Sequence, residues 1–277
     1  MLDDVPVTEA GLVSALCRVR PHVVAHSLTA ARLWGFPLPR RHQEWSLGDP
    51  VAVLVGSAAR GDRRGHYLRR RGSVAPEDIT DVGADRTRSG IPLRLTSRSR
   101  TWADLWPTLT HDELVVIGDY LVRRPRPVFE GRNQAFCTLE HLRGAARQKR
   151  SERRESLTQV LADVRVGSDS PRETALRLAC LRAGLPEPEL NARWIVDGTD
   201  LSTPDLLWRG AKVCAEYEGA PHLDLQQMRR DEQRRERRTA AGAREVRIFH
   251  GDLEPDPRVA TGKIQNALHA AAVRSAT

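Results

Sequence analysis

Two acidic residues in the last third of this chain are spaced for cation binding. Glu216 and Glu218 occupy alternate positions of residues 211–219, a run with the alternating pattern of a β-strand. From the strand rise, carboxylates at i and i+2 lie on one face about 7 Å apart. Like charges at that separation are unfavourable unless a cation neutralises them. A solvent-exposed polar strand face would produce the same alternation.

Two more acids belong to neighbouring predicted elements. Asp205 begins the predicted strand at residues 204–208, and Glu173 lies in the first turn of a helix that Ser170 caps. Glu173 also extends the apolar stripe of that helix, so it is expected to face a sheet, where an acid needs a partner or a metal. A capping box is the simpler structural interpretation of Glu173 taken alone.

Further polar residues follow the strand that carries Glu216. His222 lies in the loop after it, where a surface residue and a proton carrier are equally good interpretations. The predicted helix at residues 225–241 places Gln227, Asp231 and Arg234 on one face. These residues could support a site, although internal Asp–Arg pairing is the better interpretation of any one pair.

Phosphodiester hydrolysis is the chemistry that suits this set of residues. We expect Asp205 and Glu216, assisted by Glu173, to bind Mg²⁺ or Mn²⁺ through carboxylate oxygens. Such an ion acidifies a bound water and polarises a phosphoryl oxygen. Proton transfer is assigned to His222 or Glu218.

The elements that must position these residues predict an α+β protein. Residues 166–170 are short, polar and glycine-containing, which predicts a boundary between domains at residues 1–165 and 166–277. After it, the order helix, strand, strand, helix, strand, helix predicts an α/β mixed sheet flanked by helices. Before it, helical segments with strand-like runs at residues 51–55 and 91–96 predict a helix-rich α+β domain.

Helix starts in the first domain are predicted from capping residues. Thr8, Thr101 and Thr110 are the predicted N-caps, the last two with an acid three positions later. Residues 138–148 and 151–163 are also predicted to be helical. Their outer faces carry many arginines, which indicate a solvated surface first and a DNA-contacting track second.

The charge balance is compatible with nucleic-acid binding. The 277 residues include 44 Lys and Arg against 36 Asp and Glu, for a formal net charge of +8, and nearly all of the cations are arginine. We expect Arg234, Arg235 and Arg238 to contact a phosphate backbone. A biased genome composition would also raise the arginine content.

Cysteine and hydropathy patterns exclude several classes of protein. The four cysteines are far apart without a Cys-x-x-Cys pair, which argues against a zinc ribbon or disulfide framework and favours buried free thiols. No apolar run reaches the roughly 18 residues of a membrane span. The first residues lack the apolar core of a signal peptide, so a cytoplasmic protein with no membrane partner is expected.

Several motifs together resemble a known nuclease family. They are residues 170–173 (SPRE), 182–191 (RAGLPEPELN), 204–208 (PDLLW), 215–219 (AEYEG) with His222, and 228–242 (MRRDEQRRERRTAAG). Over residues 166–277 the chain resembles an actinobacterial family with a very-short-patch-repair-like endonuclease domain, domain of unknown function 559. That domain belongs to the PD-(D/E)XK restriction-endonuclease-like superfamily.

The resemblance implies a mixed sheet flanked by helices, dependence on a divalent metal, and a nucleic-acid substrate. By position, Glu173, Asp205 and Glu216 match the acids of the superfamily motif. Glu218 stands where the superfamily often has lysine and this subfamily usually has aspartate. His222 and Asp231 match further polar positions of the subfamily.

The N-terminal part resembles a different family. Residues 25–39 (AHSLTAARLWGFPLP) and 95–124 are similar to the antitoxin of abortive-infection type IV toxin–antitoxin systems, the AbiEi-like antitoxins. This resemblance implies a cognate toxin as a partner. The expected function is therefore a metal-dependent DNA endonuclease, or a degenerate member of that family, with an antitoxin-like N-terminal domain. The alternatives are a non-enzymatic DNA-binding regulator and an antitoxin that neutralises a protein partner.

Overall fold

The computed structural model describes residues 7–20, 22–55, 63–64, 67–71, 74–83, 92–219 and 225–276. The helices are α1 (Glu9–Val19), α2 (Ser27–Leu33), α3 (Arg40–Gln43), α4 (Arg98–Asp104), α5 (His111–Val122), α6 (Pro127–Glu130), α7 (Leu139–Arg147), α8 (Ser151–Asp163), α9 (Pro171–Arg182), α10 (Leu225–Ala240), α11 (His250–Leu253) and α12 (Arg258–Ala276). The strands are β1 (Val24–Ala25), β2 (Val51–Val55), β3 (Arg63–Arg64), β4 (Tyr67–Arg71), β5 (Ile79–Val82), β6 (Leu93–Thr96), β7 (Glu189–Leu190), β8 (Ile195–Val196), β9 (Thr199–Asp200), β10 (Leu206–Trp208), β11 (Val213–Glu218) and β12 (Arg244–Phe249). The protein is therefore α+β, as the sequence predicts.

The chain divides into two compact units. Unit 1 comprises Met1–Val122 and Ala135–Val164, and unit 2 comprises Arg123–Gln134 and Arg165–Thr277. The short segment that carries α6 thus belongs to unit 2, although it lies between helices of unit 1 along the chain. No local sequence pattern indicated that residues 123–134 belong to unit 2.

Unit 1 contains a mixed sheet with the strand order β3-β4-β2-β1-β6-β5 in the described residues. Strand β1 runs parallel to β6 and β2 runs parallel to β4, while the remaining neighbours are antiparallel. The valines of β2 at positions 51, 53 and 55 are buried in the core of this unit. The predicted strand at residues 51–55 is confirmed, and the one at residues 91–96 is confirmed from Leu93 onward.

Two of the three predicted helix starts in unit 1 are confirmed. The Thr8 side chain accepts a hydrogen bond from Gly11 N, and Thr110 and Glu113 bond each other's backbone amides in a capping box. The prediction for Thr101 is wrong, because Ser97 caps α4 four residues earlier along the chain. The buried Thr101 hydroxyl instead donates to the Thr96 carbonyl within the unit.

Unit 2 is built around a mixed sheet with the strand order β12-β11-β10-β7. Strand β10 is antiparallel to both β7 and β11, while β11 and β12 are parallel and are joined through α10. The predicted alternation of β11 is confirmed. Val213 and Ala215 pack into a core with residues of α9 and α12, whereas Cys214 packs on the other face with Trp194 and Leu207.

The structure of unit 2 adds elements that the sequence pattern did not predict. Strand β7 and the hairpin of β8 and β9 lie between α9 and β10, and α11 follows β12. The four cysteines are free; three are buried and Cys17 is partly exposed. In the described part of the chain, no helix combines the length and apolar character needed to cross a membrane.

Candidate hydrolytic site

Asp205 and Glu216 lie side by side on adjacent strands. Asp205 directly precedes β10, whose antiparallel register pairs Leu206 with Ala215 and so places Asp205 across from Glu216. Asp205 Oδ2 accepts a hydrogen bond of 2.7 Å from the backbone N–H of Tyr217. The Asp205 and Glu216 carboxyl groups are also within hydrogen-bonding reach of each other. Two carboxyl groups can bond in this way only when one of them holds a proton.

Glu173 approaches this pair from the start of α9. Ser170 caps the helix by accepting from the Glu173 N–H, as predicted. The Glu173 side chain is 7% exposed, and its Oε2 accepts from the Asp169 N–H at 2.7 Å. The capping interpretation is therefore correct in part, although the bonded amide belongs to the residue before the cap. The charge of Glu173 also acts on Asp205, so the three acids form one electrostatic group.

Asn191 joins Glu173 to Asp205, a role that sequence reasoning missed. Its side-chain nitrogen donates to Glu173 Oε2 at 2.7 Å and to the Gly167 carbonyl at 2.9 Å. Its backbone N–H donates to the Asp205 carbonyl at 3.1 Å. With φ at 43°, Asn191 adopts a left-handed conformation that favours asparagine and glycine. Its sequence signal was its place at the end of the motif at residues 182–191, which the resemblance includes without giving Asn191 a role.

Burial and mutual repulsion disfavour the charged forms of two of these acids. Burial, followed by the charges of Glu216 and Glu173, raises the pKa of Asp205 to about 8. Burial also raises the pKa of Glu173, against the opposing effect of its hydrogen-bond donors. The Asp205 carboxyl therefore holds a proton at neutral pH, in a position where a hard cation could replace it.

Arg238 of α10 supports the site through Glu216. Its buried guanidinium donates through Nη1 to Glu216 Oε1 at 2.6 Å and to Glu245 Oε2 at 2.7 Å. Its Nε donates to the Leu201 carbonyl at 3.1 Å. The assignment of Arg238 to nucleic-acid binding is wrong, because a side chain without solvent exposure cannot reach a phosphate backbone.

Comparisons with protein-family models, with curated proteins and with solved structures find no match for this chain. The nuclease-like and antitoxin-like resemblances therefore stay predictions.

The remaining predicted residues lie in different surroundings. Glu218 Oε1 accepts from Arg247 Nε at 2.7 Å, and the Glu218 side chain is about one-third exposed. Asp231 pairs with Arg234 at 3.2 Å, which is the internal pairing considered as an alternative. Arg235 is half-buried and pairs with Glu232 at 2.8 Å. His222 and the side chain of Gln227 lie outside the described residues.

The three acids are not arranged as a complete metal cage. In the described part of the chain, no group of three or more His, Cys, Asp or Glu residues could hold a metal ion as it stands. Glu216 directs Oε1 at Arg238, and Glu173 directs Oε2 at two N–H donors. Carboxylate oxygens suit Mg²⁺ and Mn²⁺. Binding through Asp205 and Glu216 together requires the Asp205 proton to leave, while Oε2 of Glu216 is the carboxylate oxygen that Arg238 does not occupy.

Proposed function

We propose that this protein hydrolyses phosphodiester bonds in nucleic acid, with DNA as the first substrate to test, and that a divalent cation assists the reaction. The observation that carries the proposal is the meeting of Glu173, Asp205 and Glu216 from three separate elements. Asn191 links the first two through its side chain and backbone. Buried acids grouped in this way are unfavourable unless a cation or a proton compensates them.

The residues of the chain divide the work of such a site. A bound Mg²⁺ would supply Lewis-acid polarisation and a more acidic water. Asp205 and Glu216 offer the oxygen ligands, and Arg238 sets the position of the Glu216 carboxylate. Glu173 is buried with a raised pKa, which suits its carboxylate to take a proton from an attacking water. Asn191 fixes the orientation of that carboxylate.

A second candidate is a non-enzymatic DNA-binding or antitoxin-type regulator. In this case unit 2 would bind a partner without hydrolysing phosphodiester bonds. Two ion pairs favour this candidate. Glu216 is neutralised by Arg238 and Glu218 by Arg247, so arginines occupy the place of a cation at two of the predicted catalytic acids. Under this second candidate, the partner would be a toxin protein that this chain neutralises.

Cleavage assays with the full chain separate the two candidates. Supercoiled plasmid, single-stranded DNA and RNA are incubated with the protein and Mg²⁺ or Mn²⁺, and the products are resolved on gels. We expect cleavage by the wild type and loss of it in Asp205→Asn and in Glu216→Gln. The matched control is Asp256→Asn, an exposed acid paired with Arg258, which retains activity. Equal cleavage by all four proteins would show that a contaminant or another site is responsible, and DNA binding without cleavage under either metal favours the regulator.

A further inference from the structure

An arginine-rich cleft lies at the open edge of the unit 2 sheet. Its volume is about 570 Å³, and it is lined by Arg235, Thr239, Gly242, Ala243, Arg244, Glu245, Arg247 and Arg274. Four arginines therefore face a single carboxylate. Glu245 is itself bonded to the buried Arg238, which offsets its charge. The cleft therefore has a net positive charge.

The alternation of β12 distributes these arginines on both sides of the edge strand. Val246 and Ile248 face the core shared with α12, so Arg244 lies on that side with Arg274 of the same helix. Glu245 and Arg247 face α10, which contributes Arg235. Strand β12 is the last strand in the sheet order, and the cleft follows its free edge.

Two of the four arginines are available for a ligand. Arg235 pairs with Glu232, and Arg247 pairs with Glu218. Within the described residues, neither Arg244 nor Arg274 forms an ion pair with a carboxylate, and both are exposed. A guanidinium without an ion-pair partner can bind a phosphate without breaking an existing pair. Its planar set of N–H donors matches the geometry of phosphate oxygens.

The cleft borders the candidate hydrolytic site through two connections. Arg247 is the register partner of Glu216 across β11 and β12. Arg238 bonds both Glu216 and the cleft residue Glu245. A chain of regularly spaced phosphates fits this arrangement better than a single small anion, because the arginines lie on both faces of one strand edge.

We propose that this cleft binds the phosphodiester backbone of a nucleic acid. The proposal rests on the proposed function for its substrate class, and it assigns Arg244 and Arg274 as phosphate-contacting residues. Backbone contacts of this kind position a nucleic acid without reading its sequence. For duplex DNA, each phosphate neutralised makes the slope of log affinity against log salt more negative by about 0.9.

The test measures binding of a fluorescein-labelled DNA duplex to the full chain by anisotropy, in EDTA and over a series of salt concentrations. EDTA removes divalent cations and so prevents the proposed hydrolysis, which means that the anisotropy reports binding alone. The double variant Arg244→Gln with Arg274→Gln is expected to bind roughly tenfold more weakly. Its slope of log affinity against log salt should be less steep by about 2. The control double variant Arg193→Gln with Arg258→Gln removes the same charge from exposed arginines outside the cleft, and is expected to bind as the wild type does.

Four results would overturn the proposal. One is an unchanged salt slope in the cleft variant, and another is an equal loss in the control variant, which would indicate a general charge effect. The third concerns the structural alternative, in which arginines at a sheet edge prevent pairing between molecules. Self-association of the cleft variant in sedimentation, with normal DNA affinity, establishes that alternative. An acidic peptide of matched charge is run in parallel, and a loss confined to the peptide also contradicts nucleic-acid binding.

Cleavage measured separately keeps this proposal distinct from the proposed function. If the cleft variant loses affinity while the wild type cleaves no substrate, the cleft assignment stands and the hydrolytic function fails. If the wild type cleaves DNA and the cleft variant binds it normally, the function stands and the cleft assignment fails.

Discussion

Nη1 of Arg238 lies 2.6 Å from Oε1 of Glu216, and the same nitrogen lies 2.7 Å from Oε2 of Glu245. One buried cation is thus shared by two carboxylates, of which Glu216 belongs to the candidate site. A buried ion pair is costly to break, because removal of one member leaves the other uncompensated. Arg238 therefore connects the stability of unit 2 to the position of Glu216.

Removal of Arg238 is expected to destabilise the protein strongly. Arg238→Met should lower the free energy of unfolding by about 3–5 kcal/mol, because Glu216 loses its cation and Glu245 is left with the more distant Arg235, at 3.8 Å. Urea unfolding at neutral pH measures the change. The control Arg235→Met, on the same helix with a partly exposed side chain, is expected to cost less than about 1 kcal/mol. A cost below that value for Arg238→Met would contradict the shared-cation arrangement.

Replacement of Asp205 is expected to stabilise the protein at high pH. The folded carboxyl, with a pKa of about 8, retains a proton that the unfolded chain releases near its ordinary value of 3.8. Its contribution to the free energy of unfolding therefore falls as the pH rises from about 4 to about 8. The amide introduced by Asp205→Asn does not titrate in this range, and its oxygen could still accept from the Tyr217 N–H.

The measurement compares Asp205→Asn with the wild type by urea unfolding at pH 5 and pH 9. We expect the stability advantage of the variant over the wild type to be larger at pH 9 than at pH 5 by more than about 1.4 kcal/mol, the equivalent of one pKa unit. Asp256→Asn, at an exposed position, serves as the control and should show no such advantage. A difference independent of pH would contradict the raised pKa of Asp205.

Binding of Mg²⁺ or Mn²⁺ is expected to release a proton from the site. Because the Asp205 carboxyl is protonated below pH 8, a cation that uses it as a ligand displaces that proton. Affinity should rise with pH up to about 8, with about one proton released per ion at pH 7. Calorimetric titration in buffers of different ionisation enthalpy measures the release. Binding without proton release, or unchanged binding in Asp205→Asn, would exclude Asp205 as a ligand.

Asn191 is expected to stabilise the site through its side chain and not through its backbone conformation. Asn191→Gly retains the left-handed backbone but removes a donor from the buried Glu173, and should cost about 1–3 kcal/mol of stability. Asp197→Gly is the matched control, because Asp197 also has a left-handed backbone, with a φ of 47°. It lies in the turn between β8 and β9, which form a separate two-stranded sheet. That variant should be neutral or slightly stabilising. Equal effects in the two variants would falsify the bridging role of Asn191.

Much of the local structure could be predicted from neighbouring residues. The caps at Thr8, Thr110 and Ser170 and the alternation of β11 depend on interactions within a few positions along the chain. The same alternation placed Glu216 and Cys214 on one face of the sheet. Short-range hydrogen bonding and side-chain period determine these features, so they are visible in the sequence.

The identity of the partners could not be predicted in the same way. Helix α10 carries many charged residues, and nothing local distinguishes Arg238, which is buried, from Arg234 and Arg235, which are not. Strand β7 is too short for a periodic signal, so the role of Asn191 after it was also missed. The tertiary structure alone places these residues against acids that lie 18 to 22 positions away.

By itself, the sequence determined the α+β class, the helix caps at Thr8, Thr110 and Ser170, and the three acids that could act together. Only the tertiary structure decided that Asp205 shares its surroundings with Glu216 and Glu173, that Arg238 supports Glu216, and that residues 123–134 belong to unit 2. The physical reason is distance along the chain. Periodicity and capping act over a few residues, whereas burial and charge pairing depend on which distant segments pack together.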